Sequence, residues 1–233
     1  TKRTAFRYDI IFIGLSAPHE LQSNRLFSAE FFSLAKRKLN SGGILVLTLP
    51  GSLTYISPEL KDLNGCILDT LKGVFQKVKI IPGDVHLYLA SDSEILESIS
   101  ASELSRRLAE RKVKTHLFTE AYIEYRLHER WAKWFARSMD GKKFQPNADF
   151  RPLGVFLNLV YWNSYFSPRL NTVLQWLQEL SFNHMMIPLV LGPAFLAFFF
   201  WRRPSISRHA LPYAIFTTGL AGMIFHLAII FSF

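Results

Sequence analysis

YDIIFIGL, residues 8–15, decides the architecture of this chain. It is short, almost continuously apolar and rich in aromatic and β-branched residues, so it reads as a strand buried within a sheet. A polar loop with a proline, SAPHELQSNR (16–25), follows it. Ser28 is placed to cap a helix over 29–39, AEFFSLAKRKL, which has apolar residues at helical spacing and ends at Asn40-Ser41-Gly42-Gly43. ILVLTL (44–49) is a second buried strand, closed by Pro50-Gly51, and Pro58 opens a helix to about Phe75 as a first-turn proline. KVKIIP (77–82) and VHLYLA (85–90), joined across Gly83-Asp84, read as a hairpin. Strand, helix, strand, helix, hairpin implies an α/β fold. Its sheet is expected to be parallel, with helices on both faces and an antiparallel strand at its end.

The chain has 233 residues and a formal net charge of +9, from 27 Lys and Arg against 18 Asp and Glu; 49% of residues are hydrophobic and 19% charged. These values exclude a disordered tail and a charge-dense nucleic-acid arm. The longest basic run, Lys36-Arg37-Lys38, lies on a helix face, so no nucleic-acid partner is expected. One cysteine, Cys66, excludes a disulfide framework and a multi-thiolate metal site, and reads as a small buried apolar residue. The seven histidines show no metal-ligand spacing, so no metal is expected.

Charge is unevenly distributed. Residues 151–233 hold only Arg151, Arg169, Glu179, Arg202, Arg203 and Arg208, leaving 22 of the 27 basic and 17 of the 18 acidic side chains in 1–150. Residues 101–112 read as a small charged helix. Residues 119–138 read as one longer helix, with Tyr122, Ile123, Leu127, Trp131, Trp134 and Phe135 on a face opposite Arg126, Arg130, Lys133 and Arg137. That helix either packs on the domain or lies on a membrane surface. The run 153–166 is too short to span a bilayer, whereas uncharged 180–201 and 210–233 are each long enough. The expected organisation is therefore an α/β domain at 1–118, an amphipathic helical linker at 119–179 and a transmembrane hairpin at 180–233. Pro188 and Pro193 would kink the first span; Thr218 and Gly222 suit close helix packing in the second, which also holds His226. The apolar runs at both ends make a piece of a longer protein the expectation.

The ordered set YDIIFIGLSAP (8–18), LFSAEFF (26–32), LAKRKLNSGGILVL (34–47), ISPELKDLN (56–64) and VKIIPGDVHLYLASD (78–92) resembles the spermidine synthase family, the polyamine aminopropyltransferases. The tails NADFRPLGVFLNLVYW (147–162) and TGLAGMIFHLAIIF (218–231) look like the bacterial membrane-bound branch of that family. The resemblance implies the C-terminal half of a methyltransferase-like, Rossmann-like sheet. It also implies a transferase with decarboxylated S-adenosylmethionine or S-adenosylmethionine as substrate, the adenosyl group lying against Gly14, Leu15 and Ser16, and a polyamine or other small amine as acceptor. As partner and place it implies the lipid bilayer, in a multi-pass protein of the bacterial inner membrane with its α/β domain in the cytoplasm.

In the family, the turn after this strand carries two carboxylates in a D-x-x-D-P pattern, serving as base and as counter-charge for the amine. Those positions are Gly14 and Ala17 here, while Pro18 is retained, and Thr48 stands where the family has a glutamine. His19 and Glu20, just beyond the turn, are possible substitutes, or else solvated loop residues. Three readings follow: a membrane-bound spermidine-synthase-like transferase, a catalytically inactive ligand-binding or transport-related relative, and a membrane-anchored adenosylmethionine-dependent methyltransferase.

Overall fold

The computed structural model describes residues 6–113, 115–166, 215–219 and 221–222. The chain divides into two units, residues 1–168 and 169–233. The first contains a four-stranded mixed sheet of order β1-β2-β4-β3. β1 (Tyr8–Ile13) is parallel to β2 (Leu39–Pro50), and the hairpin of β3 (Lys77–Ile81) and β4 (Val85–Ser91) joins with β4 antiparallel to β2. The α/β class, the parallel pair and the terminal hairpin agree with the sequence reading.

Two capped helices connect these strands. α2 (Ala29–Lys38) starts at Ser28, whose Oγ accepts from the Phe31 amide at 3.3 Å. α3 (Pro58–Val74) starts at Ser57, whose Oγ accepts from the Leu60 amide at 3.2 Å, with Pro58 as its first residue. A short helix α1 (Leu21–Asn24) precedes α2. α2 and α3 lie on the same face, and the expected helical cover of the other face reaches only the hairpin, where helices farther along the chain lie against Ile81 and Leu87. α2 and α3 both connect parallel strands while the chain advances in one direction across the sheet, so right-handed crossover puts them on one side. Strand pairing then sorts the side chains. Leu45, Leu47, Leu49, Tyr88 and Ala90 point into the core with Phe32, Ile67 and Leu71 of the helices. Ile10 and Phe12 of β1 point the other way and are 63% and 61% exposed. β1 is an edge strand, and its outward apolar face is uncovered.

β2 begins earlier than expected. Leu39 pairs with Tyr8 while the next partner of β1, Ile10, pairs with Ile44, so Asn40–Gly43 bulge out of the ladder. Gly42 takes φ +81° there, and a Cβ on Gly43 would lie 3.0 Å from the Tyr8 carbonyl oxygen.

The single helix expected over 119–138 is two helices, α5 (Glu120–Leu127) and α6 (Glu129–Met139), following α4 (Ala101–Glu110). His128 breaks the run: it leaves helical geometry at φ −59°, ψ 130°, and its side chain accepts from the Arg130 amide at 3.2 Å, starting a new helix. The six apolar residues therefore do not form one stripe. Ile123 is buried on α5, whereas Phe135 of α6 enters the sheet core edge-on to Tyr88.

α7 (Leu153–Phe166) packs on α3, burying Leu157 and Val160, with Leu157 against Leu63 and Cys66. Its first amides are received by two buried asparagines: Gly154 donates to Asn147 Oδ1 at 2.9 Å and Val155 to Asn24 Oδ1 at 3.0 Å. Asn147 is itself anchored through Thr70 Oγ1, the Phe27 carbonyl and the Ala29 amide.

Among the described residues no helix is long and apolar enough to cross a membrane. The stretches 180–201 and 210–233 lie outside the described residues except for 215–219 and 221–222, which are helical. Pro188, Pro193 and His226 lie outside them as well.

Candidate functional site

β1 and β2 are parallel, so their carboxyl ends, at Ile13 and Pro50, lie on the same edge of the sheet. Ligands of open α/β sheets bind at that edge. The turn after β1 exposes Gly14, Leu15 and Ser16 and buries Ala17 and Pro18. Around Gly14 there is room for a side chain, since a Cβ would come no closer than 3.7 Å to the Phe12 ring. Ala17 differs: it is 0% exposed and fully enclosed. Pro18 packs against the start of α7, its Cγ 3.1 Å from where a Cβ on Gly154 would stand.

His19 and Glu20 have local structural duties. The His19 imidazole Nδ1 lies 3.3 Å from Asn158 Nδ2 on α7, and its backbone amide donates to Ser23 Oγ. Glu20 is the residue before α1, and its amide also donates to Ser23 Oγ, at 3.1 Å. Thr48 lies on the open face of β2, opposite Leu87. The described residues contain no cluster of three His, Cys, Asp or Glu able to hold a metal ion.

The end of β2 is held by a buried network that the sequence reading did not single out. The Tyr88 hydroxyl donates to Asn64 Oδ1 at 2.6 Å, and Asn64 Nδ2 donates to the Pro50 and Leu60 carbonyls at 3.1 and 2.9 Å. Complete burial pushes the Tyr88 phenol well above its ordinary range. Next to it, Gly51 and the β3–β4 turn are in close contact. The Gly51 amide donates to the Asp84 carbonyl at 2.9 Å, and a Cβ on Gly51 would overlap the Gly83 carbonyl and come within 2.5 Å of His86 Nδ1.

His86 is fully buried, and its Nδ1 accepts from the Gly83 amide at 3.1 Å, which leaves the ring proton of the neutral imidazole on Nε2. Nε2 has no hydrogen-bond partner among the described residues, and the ring meets Phe135 edge-on at 5.0 Å. Burial first, and the Arg126 charge second, lower its pKa to about 4 against a small opposing pull from Asp84. A base this weak stays neutral near pH 7 and is poorly suited to taking a proton from an ammonium. The sequence signal for this corner is the repeated Pro-Gly, at Pro50-Gly51 and Pro82-Gly83, on facing sides of one strand end.

Cys66 is enclosed in α3, and burial pushes its thiol up to about 12, which makes it a packing residue.

Fold and strand-end geometry define an α/β protein with a mixed sheet whose parallel pair opens at a shared carboxyl edge. No family model matches the chain. Over 121 residues it is 31% identical to a polyamine aminopropyltransferase of Pyrobaculum aerophilum, an alignment that covers 48% of this chain and 40% of that protein. The chain thus spans less than half the length of the curated relative it matches, and over about half its own length it is spermidine-synthase-like.

Proposed function

We propose that the chain belongs to a membrane-bound, spermidine-synthase-like transferase that has lost the amine-handling carboxylates of aminopropyl transfer, and that it transfers aminopropyl groups to putrescine poorly or not at all. The observation that carries this reading is the turn after β1, where the two carboxylate positions are an exposed Gly14 and a fully buried Ala17. In aminopropyl transfer an amine nitrogen forms a bond to carbon as the carbon–sulfonium bond breaks. The sulfur departs as a neutral thioether, and the amine proton needs an acceptor. Removing a positioned base costs about 10²–10⁴-fold in rate. His86 is neutral and weakly basic, and the His19 ring lies against Asn158, which leaves the exposed Glu20, bonded to Ser23 through its backbone amide, as the side chain to test.

In this reading the adenosyl part of decarboxylated S-adenosylmethionine or S-adenosylmethionine lies on Gly14, Leu15 and Ser16, the exposed part of the turn. The methyltransferase-like sheet, the lipid bilayer as partner and the placement of the α/β domain in the cytoplasm of a bacterial inner-membrane protein belong to the same proposal. Support for membrane residence comes from the uncharged stretches 180–201 and 210–233. Arg202, Arg203 and Arg208 between them favour the opposite orientation by the positive-inside bias. Labelling of Ser205→Cys in intact cells decides: access from outside supports a cytoplasmic domain, and access only after lysis refutes it.

The testing experiment is a transfer assay with decarboxylated adenosylmethionine and putrescine on the full-length protein. Robust turnover by the wild type refutes the proposal and makes His19 and Glu20 the first residues to replace. The same two positions also favour a catalytically inactive ligand-binding relative. Saturable binding of decarboxylated adenosylmethionine without turnover, unchanged by Gly14→Asp, identifies that case.

A further inference from the structure

On the sheet face opposite α3, the β3–β4 hairpin and helices α4 and α5 enclose a groove of about 210 Å³. Ile81 and Leu87 form its floor, Leu104 one wall, and Phe118, Tyr122 and Leu127 the other. The one charged side chain in the lining is Arg126. Its guanidinium lies over Gly83, close enough that a Cβ there would overlap it. The glycine therefore lets the cation sit down on the turn.

Arg126 is half-buried and forms no ion pair and no hydrogen bond with any described residue. Asp84 on the adjoining turn and Glu120 and Glu124 on its own helix all lie outside ion-pair reach. Neighbouring helices do pair some of their charges, Arg106 and Arg107 with Glu103 and Lys133 with Glu129, whereas Arg126 stays without an anion. A guanidinium withdrawn from water into an apolar wall without an anion is unfavourable, and it presents donors in a fork that matches a carboxylate. The rest of the lining offers only apolar surface and the Tyr122 ring.

We propose that this groove binds a small amphipathic carboxylate, with its apolar body on Leu87, Leu104 and Tyr122 and its carboxylate on the Arg126 guanidinium. The groove is of a size for a short aliphatic body. Charge and shape complement each other: a cationic amine of equal length would meet a like charge at the head position, and an alcohol would leave the guanidinium unpaired. The site is separate from the transfer chemistry proposed above, so the absence of aminopropyl transfer leaves it standing.

The test is isothermal titration of the purified full chain with octanoate, octylamine and octanol. Saturable binding of one octanoate per chain is expected, with the amine and the alcohol at least tenfold weaker. Arg126→Gln should weaken octanoate by about tenfold to a hundredfold, the range of a charge-assisted hydrogen bond, while Arg126→Lys recovers part of the loss. Equal binding of the three probes, no saturable octanoate binding, or indifference to Arg126→Gln overturns the proposal. Should Arg126→Gln fail to fold, Leu104→Asp on the exposed helix α4 replaces it. That variant sets a carboxylate against the ligand's own, and undiminished octanoate binding by it also overturns the proposal.

Discussion

Restoring the two carboxylates to the turn after β1 should have unequal consequences, because Gly14 and Ala17 occupy opposite environments. Gly14 is exposed and has space for a side chain, so Gly14→Asp should change stability by less than about 1 kcal/mol, like other surface substitutions. Ala17 is 0% exposed, so Ala17→Asp must bury a carboxyl group. An uncompensated buried charge costs about 3–5 kcal/mol, a large part of the roughly 5–15 kcal/mol that holds a domain together. The pH dependence follows from linkage. Burial raises the pKa of the introduced carboxyl in the folded state above its unfolded value of about 3.9, so the folded state holds the proton to higher pH. The penalty is therefore full at pH 8 and shrinks as the pH falls through the raised folded value. Ala17→Asn, of the same size but uncharged, pays only for bulk and polarity and should not share this trend. Denaturant unfolding of the full chain, followed through Trp131 and Trp134, measures all four proteins between pH 4.5 and 8. Ala17→Asp and Ala17→Asn of equal stability at pH 8, or Gly14→Asp as costly as Ala17→Asp, would refute the reasoning.

Other outcomes can be checked with the same material. His86 has a folded pKa of about 4 against an ordinary 6.5, so the unfolded state binds its proton first; stability should fall by about 3 kcal/mol as pH drops from 6.5 to 4, and His86→Gln should flatten that slope in a urea titration. Gly51→Ala drives a methyl into the Gly83 carbonyl and the His86 ring and should destabilise by about 1–3 kcal/mol, whereas Gly83→Ala meets only the movable end of Arg126 and should cost less in the same unfolding measurement. Tyr88→Phe leaves Asn64 Oδ1 buried without its donor and should cost about 1–3 kcal/mol, and a double-mutant cycle with Asn64→Leu should show coupling of the pair. Cys66 should resist maleimide in the native protein and react in full after denaturation; rapid native labelling would show that α3 opens there.

The elements that a sequence window could reveal were those whose cause is local. Ser28 caps a helix from within four residues, Pro58 fixes a first turn, and alternating side chains across Gly83-Asp84 make a hairpin. What escaped depends on distant partners. The 119–138 stripe has the right period for one helix, yet His128 diverts the chain so that Phe135 can reach His86 and Tyr88, some fifty residues away. The sharing of one sheet face by α2 and α3 follows from crossover handedness, which periodicity does not encode. At the candidate site, Gly14 and Ala17 were legible from the register that Pro18 preserves, but their contrast in burial was not. Asn64, His86 and Arg126 carried no local signature, because each acquires its role only when α3, the hairpin and α5 meet.

The two asparagines that receive the first amides of α7 have a mechanical consequence. Asn24 stands at the end of α1 and Asn147 is pinned to α3 through Thr70, so the start of α7 is riveted to two separate parts of the α/β unit. A third tie, from Asn158 to His19, and the contact of Pro18 with Gly154 join the same helix to the turn that bears Gly14 and Ala17. Tension along α7 would therefore load that turn directly, and a shift of one helical step would have to break both hydrogen bonds from its first amides before the strand-end loop was released.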